Sequence, residues 1–197
     1  AQASTGSGKT AAFGLPLVEK LTANFHAVQA LVLCPTRELA DQVTTEIRRL
    51  ARATANIKVV TLCGGVALRG QEQSLQHGAH VVVGTPGRIL DHLTRGNLRL
   101  DSVKTLVLDE ADRMLDMGFI PDIERIFGLT PFTRQTLFFS ATMAPEIERI
   151  TNTFLSNPAR IEVARQATTS ENITQGVVMF KATRKDREAS EKQNLLR

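Results

Sequence analysis

Gly6, Gly8, Lys9 and Thr10 fall within the stretch ASTGSGKT, residues 3–10, and together they have the chemistry of a phosphate grip. Glycines let the backbone curl its amide groups around an anion, and a helix that starts just beyond them turns its positive end to the same charge. A lysine ammonium reaches terminal phosphates, and a threonine hydroxyl can ligate Mg²⁺. The general pattern is Gly, four residues, then Gly-Lys-Ser/Thr. Ala3 stands where its first glycine would be, so the match is one residue short.

Farther along, VKTLVLDEADRML places Asp109 and Glu110 where an apolar run ends. An acid at that point of a phosphate-binding fold faces the phosphates and can hold Mg²⁺. Its neighbour Glu110 is suited to orient or deprotonate an attacking water, because phosphoryl transfer needs positioning and charge neutralisation more than covalent chemistry. The same two acids would equally suit a solvated helix N-terminus, where negative charge is favoured.

These residues need a scaffold that brings them together. Five short runs rich in Val and Leu recur: ALVLC (30–34), KVVTLC (58–63), HVVVG (80–84), TLVLD (105–109) and TLFFS (136–140). None alternates cleanly between apolar and polar, which predicts strands covered on both faces and therefore a parallel sheet. Helical spacing lies between them. RELADQVTTEIRRLARA repeats apolar residues at Leu39, Val43, Ile47 and Leu50, and AAFGLPLVEKL and PEIERITNTFL behave alike despite Pro16. Alternating strands and helices give an open α/β fold, whose ligands bind beyond the carboxyl ends of the strands. PTRE, GG, TPGR, DEAD and SAT each follow a run directly, so the sequence predicts that the chemistry gathers on one edge.

Composition narrows the class further. The chain has 197 residues, 42% of them apolar and 22% charged, which is ample for a packed core. Its net charge of +4 is carried mostly by residues 181–197, so nucleic-acid contact must come from placed residues rather than a general field. Cys34 and Cys63 end apolar runs and read as small buried hydrophobes. His26, His77, His80 and His92 form no metal-ligand pattern, no apolar stretch is of membrane-spanning length, and the expected location is the cytoplasm.

With D-E-A-D at 109–112, and ASTGSGKT, PTRELA, TPGR and SAT in order around it, the chain resembles the DEAD-box ATP-dependent RNA helicases, bacterial members in particular, over essentially its whole length. The alanine at position 3 then fits, because AxTGxGKT is the form this family uses. The resemblance implies an N-terminal RecA-like P-loop NTPase domain over 1–167, with an open, mostly parallel sheet and helices on both faces. It implies a linker at 168–174 and the beginning of a second RecA-like domain at 175–197. The family layout also sets a strand and an adenine-recognising segment ahead of the phosphate loop, and the sheet position such a strand would fill is expected to be exposed here.

The resemblance implies roles residue by residue. Ala3, Ser4, Thr5, Gly6, Ser7, Gly8, Lys9 and Thr10 would bind ATP, with Thr10 and Asp109 holding Mg²⁺ and with Lys9, Asp109 and Glu110 catalytic. Asp112, Ser140, Ala141 and Thr142 would couple hydrolysis to strand separation. Pro35, Thr36, Arg37, Gly64, Gly65, Thr85, Pro86, Gly87 and Arg88 would contact the RNA sugar-phosphate backbone, and Phe119 is expected to pack locally. Read without the family, the glycine pair and Pro86-Gly87 suit tight turns, and Ser140 and Thr142 suit helix caps. A non-catalytic RNA clamp would use the same motifs, but could dispense with Glu110. The second RecA-like domain is an expected partner, since its arginines would reach the γ-phosphate. The chain alone is therefore expected to be nearly inactive.

Overall fold

The computed structural model describes residues 1–2, 8–54 and 56–162. Ala3–Ser7, the linker expected at 168–174 and the second domain expected from 175 lie outside the described residues. The described residues form a five-stranded, wholly parallel sheet of β1 (Ala30–Leu33), β2 (Val59–Leu62), β3 (Val81–Gly84), β4 (Thr105–Leu108) and β5 (Gln135–Phe138), in the spatial order β2-β3-β1-β4-β5. Helices α1 (Lys9–Glu19), α2 (Arg37–Leu50), α3 (Leu68–Gln76), α4 (Pro86–Thr94), α5 (Ala111–Asp116), α6 (Ile120–Gly128) and α7 (Pro145–Phe154) cover it.

The absence of alternation in the apolar runs has its reason in two cores. Side chains of successive strand residues point to opposite faces. Leu31, Leu33, Leu106 and Leu108 pack on one face with Ile89 of α4, Met114 of α5, Ile123 and Ile126 of α6 and Ile147 of α7. Ala30, Val32, Val81, Val83 and Val107 pack on the other with Phe13 and Leu17 of α1 and Val43 and Ile47 of α2. All four residues of β1, β3 and β4 are buried, as a strand sandwiched between helix layers requires. Cys34 and Cys63 are buried free thiols in the second core.

β5 is different. Gln135 is exposed and only Phe138 is buried, and a groove of about 780 Å³ lined by Leu17, Leu137, Met143, Leu155 and Ile161, among others, runs beside it. At one end of that groove Gln2 makes single parallel bridges to Ser140 and Glu162, carrying the sheet one residue beyond β5. The run expected as a strand over 136–140 is therefore paired with β4 over 135–138, and Phe139 and Ser140 turn into the following loop. Gly84 ends β3 because nothing larger fits: a Cβ there would lie 2.2 Å from the carbonyl oxygen of Leu62 on β2.

No helix among the described residues is long and apolar enough to cross a membrane.

Candidate functional site

Because all five strands run the same way, their C-terminal ends share one edge, and the predicted site residues that are described collect there. Gly8 caps α1 in the left-handed region, φ 81°, a conformation that glycine adopts freely. Lys9 and Thr10 follow in the first turn of α1. The Lys9 ammonium lies 3.8 Å from Oδ1 of Asp109, which directly follows β4. Asp109 is 2% exposed, yet that same oxygen accepts no hydrogen bond among the described residues. Burial pushes the Asp109 carboxyl above its ordinary pKa, against the opposing pull of Lys9. Lys9 is thus the one described cation beside a buried carboxylate oxygen that has no hydrogen-bond donor among the described residues.

Glu110 adopts φ 54° and ψ 53°, left-handed backbone that a non-glycine residue takes only at a cost of about 1–2 kcal/mol. That turn swings the chain from β4 into α5, aims the Glu110 carboxylate at Arg113 at 3.3 Å, and leaves Asp112 to face the loop beyond β5. Oδ2 of Asp112 accepts from the amides of Ala141 and Thr142 and from the Thr142 hydroxyl, while the Asp112 amide donates to the Ser140 hydroxyl. The sidechain of Gln2 donates to the carbonyl of Ala141 at 3.2 Å.

A second group gathers over the other three strand ends. Pro35 and Thr36 follow β1, and the Thr36 hydroxyl caps α2 by accepting from the Leu39 amide at 3.3 Å. Arg37 is exposed and pairs with Asp41 at 3.6 Å. Gly64 and Gly65 follow β2, and a side chain built on Gly65 would come within 3.9 Å of the Arg37 guanidinium. Thr85 precedes α4, Pro86 opens it, and Gly87 and Arg88 continue it. Arg88 reaches back to the glycine loop, donating to the Val66 carbonyl at 3.0 Å. Phe119 packs against the core below α6 rather than joining this surface.

Gln71, His92, Arg113 and Gln2 all contact this edge, and sequence reasoning singled out none of them for it. A lone glutamine within LRGQEQSLQ carries no spacing signal, and His92 had been weighed only as a metal ligand.

Lys9, Thr10, Asp109, Glu110 and the Asp112 cluster thus occupy the end of the edge over β4 and β5. Arg37, Gly64, Gly65 and Arg88 occupy the end over β2, β3 and β1.

Comparison with known proteins gives the family. The DEAD/DEAH box helicase family matches residues 1–150. The chain is 56% identical to the ATP-dependent RNA helicase DbpA of Escherichia coli (strain K12) over 162 residues, 82% of this chain and 35% of that protein. It is 52% identical to the DEAD-box ATP-dependent RNA helicase CshA of Geobacillus kaustophilus (strain HTA426) over 174 residues, 88% of this chain and 37% of that protein. The chain therefore spans a little over a third of the length of these curated relatives. Among solved structures, a DEAD box protein from the hyperthermophile Methanococcus jannaschii superposes with a TM-score of 0.75 at 47% identity, over 79% of this chain and 42% of that one. The yeast DEAD-box splicing factor Prp28 superposes with a TM-score of 0.80 at 34% identity, over 85% and 41%. The parallel sheet covered by helices on both faces is the RecA-like fold of those proteins. By its matched residues and its fold, this chain belongs to the DEAD/DEAH box helicase family.

Proposed function

We propose that this chain is the nucleotide- and RNA-binding part of an ATP-dependent RNA helicase that locally opens RNA duplexes or remodels RNA-protein complexes. The observation that carries the reading is the approach of Lys9 to Asp109 at 3.8 Å, with Asp109 Oδ1 buried and without a hydrogen-bond donor among the described residues. The names of DbpA and CshA as ATP-dependent RNA helicases support it.

In this reading the start of α1 receives the ATP phosphates through backbone amides, and Lys9 neutralises the terminal ones. Residues 3–7 would complete that cradle. The hard oxygens of Asp109 and Thr10 suit Mg²⁺, and these two residues would hold it; when bound, the ion offsets charge developing on the transferred phosphoryl group. Glu110 orients the attacking water and takes its proton. Asp112, tied to Ser140, Ala141 and Thr142, transmits the state of the nucleotide to the loop beyond β5. Arg37 and Arg88, the Thr36 and Thr85 hydroxyls and the amides of Gly64, Gly65 and Gly87 grip sugar and phosphate, with Pro35 and Pro86 fixing their loops. Such contacts read no bases, so binding is independent of sequence.

Full transition-state compensation calls for cations besides Lys9, and an arginine finger contributes about 10³ to 10⁵ in rate in comparable enzymes. The second RecA-like domain is the proposed source, and the chain alone is expected to turn ATP over slowly. The test is a pair of titrations on the chain, one with a fluorescent ATP analogue in Mg²⁺ and one with single-stranded RNA. Lys9→Ala should weaken nucleotide binding about 10-fold or more, leaving RNA binding intact. Equal nucleotide affinity in both proteins would overturn the assignment of this site.

A further inference from the structure

Gln71 lies on α3, away from every motif, and is only 6% exposed. Its carboxamide bonds to the loop after β2 and to two side chains of α4. Nε2 donates to the Cys63 carbonyl at 2.8 Å, and Oε1 accepts from Arg88 Nη1 at 3.1 Å and from His92 Nε2 at 3.0 Å. The guanidinium can only donate, so the amide oxygen must face it, and the ring of His92 must carry its proton on Nε2. Nδ1 of His92 is then the unprotonated nitrogen, and it is buried with no partner among the described residues. Burial holds His92 below its ordinary pKa, in keeping with a neutral ring one helical turn from Arg88.

The remaining bonds close a ring of contacts around the glycine pair. Arg88 Nη1 also donates to Val66, so the carbonyls of Cys63 and Val66 are held on either side of Gly64 and Gly65. Gly65 in turn sits beside Arg37, with φ 74°. One carboxamide thus fixes the loop after β2 and the side chain of Arg88 together.

We infer that Gln71 is a positioning residue of the RNA face: through Arg88, His92 and the Cys63 carbonyl it sets the glycine loop and the Arg88 guanidinium in place before RNA arrives. The inference rests on the proposed RNA-binding reading of that face. Its physical content is preorganisation. A long arginine side chain and a glycine loop are costly to order, and a clasp that orders them in the free protein spares that cost on binding.

The test uses Gln71→Met, which keeps side-chain volume but has neither amide group, and Gln71→Glu, which keeps the acceptor for Arg88 and His92. Hydrogen bonds to charged groups predict about a 10-fold loss of affinity for single-stranded RNA in Q71M, with nucleotide affinity unchanged and with Q71E, which keeps the bonds from Arg88 and His92 but cannot donate to the Cys63 carbonyl, losing less than Q71M. Combined with Arg88→Ala, Q71M should add almost nothing, because both changes remove one function; independent, additive losses would reduce Gln71 to a packing role. Imidazole ¹⁵N spectra should show His92 protonated on Nε2 in the wild type and perturbed in Q71M. Wild-type protein that binds no RNA would bring down the reading of the whole face. RNA binding left at the wild-type level by Q71M, or an Nδ1-protonated His92, would overturn this inference alone. Should Q71M not fold, a Q71E that binds RNA as weakly as R88A would overturn it equally.

Discussion

Thr142 gives the Asp112 carboxylate two hydrogen bonds, one from its amide at 3.0 Å and one from its hydroxyl at 3.2 Å, both to the same oxygen. The Ala141 amide adds a third at 3.1 Å, and the Ser140 hydroxyl accepts from the Asp112 amide. The first turn of α5 and the loop after β5 are therefore joined through one residue, Asp112. Two of those four bonds run through hydroxyls, and two would survive any side-chain change in Ser140 and Thr142.

The double change Ser140→Ala with Thr142→Ala follows from that division. In a protein with both RecA-like domains, RNA unwinding is expected to fall about 10-fold or more while RNA-stimulated ATP hydrolysis stays within about 2-fold, since hydroxyl bonds of about 1 kcal/mol each are lost and the nucleotide site is untouched. Parallel assays of unwinding and phosphate release check it. Equal losses in both would reduce the contact to a folding role.

Asp109 makes a stability prediction with a definite sign. Its folded-state pKa is raised, mainly by desolvation, so the ionised form is disfavoured on folding. The contribution of a raised carboxyl is favourable below its unfolded pKa and is lost as pH rises through its folded pKa. Asp109→Asn removes the charge at nearly constant shape. Without nucleotide, the variant should melt above the wild type at pH 7, by roughly 2–4 °C for each kcal/mol relieved, and should show no Mg²⁺-dependent gain from ATP. A lower melting point would show that the attraction of Lys9 outweighs desolvation.

The backbone of Glu110 supplies a second trade between stability and activity. Glu110→Gly relieves the left-handed strain but loosens the unfolded chain, so a net gain of up to about 1 kcal/mol is expected in urea unfolding. Glu110→Gln should change stability by less than about 1 kcal/mol, since the amide keeps the shape and an oxygen acceptor for Arg113, whose own side chain is largely exposed. Both variants should bind ATP and fail to hydrolyse it. Hydrolysis surviving in E110Q would remove Glu110 from the chemistry.

Burial pushes the Cys63 thiol up to about 11 and Cys34 well above its ordinary value. Both thiols thus stay protonated at neutral pH, and the thiolate is the reactive form. A chromogenic disulfide reagent at pH 8 should leave the native protein unlabelled over a time in which the guanidinium-unfolded chain reacts at both positions. Rapid labelling of the native protein would mean that the α1–α2 side of the core opens readily.

Much of the sheet was legible because burial on both faces leaves an unmistakable composition: VVVG and TLVL contain no solvent-facing position, and they became β3 and β4. The edge was less so. TLFFS reads as a strand through Ser140, but ladder pairing with β4 stops at Phe138: the Phe139 amide still donates to Leu108 while its carbonyl turns to the Ala111 amide, and Ser140 meets Asp112 and Gln2. The helical run from Arg37 was legible to Leu50, where it tightens into a 3₁₀ turn over Ala51–Ala53. Spatial strand order was not written in any local pattern, nor was the close approach of β2 that demands Gly84.

At the site, the residues with charge or special backbone freedom were legible, since Lys9, Asp109, Glu110, Arg37 and Arg88 each follow a strand or open a helix. Gln71 was not. Its importance arises only when α3 folds back over β2 and meets Arg88 from a segment 17 residues later, a tertiary event without periodicity.

β1 is hydrogen-bonded in register along its whole length to β3 on one side and to β4 on the other. The two chemically distinct patches are consequently bolted to a single plank. With the four residues of β1 buried, the spacing between the Lys9–Asp109 patch and the Arg37–Arg88 patch is expected to behave as a fixed ruler. On the proposed reading, a message passing from one patch to the other would travel by the loops above the plank rather than through the wood.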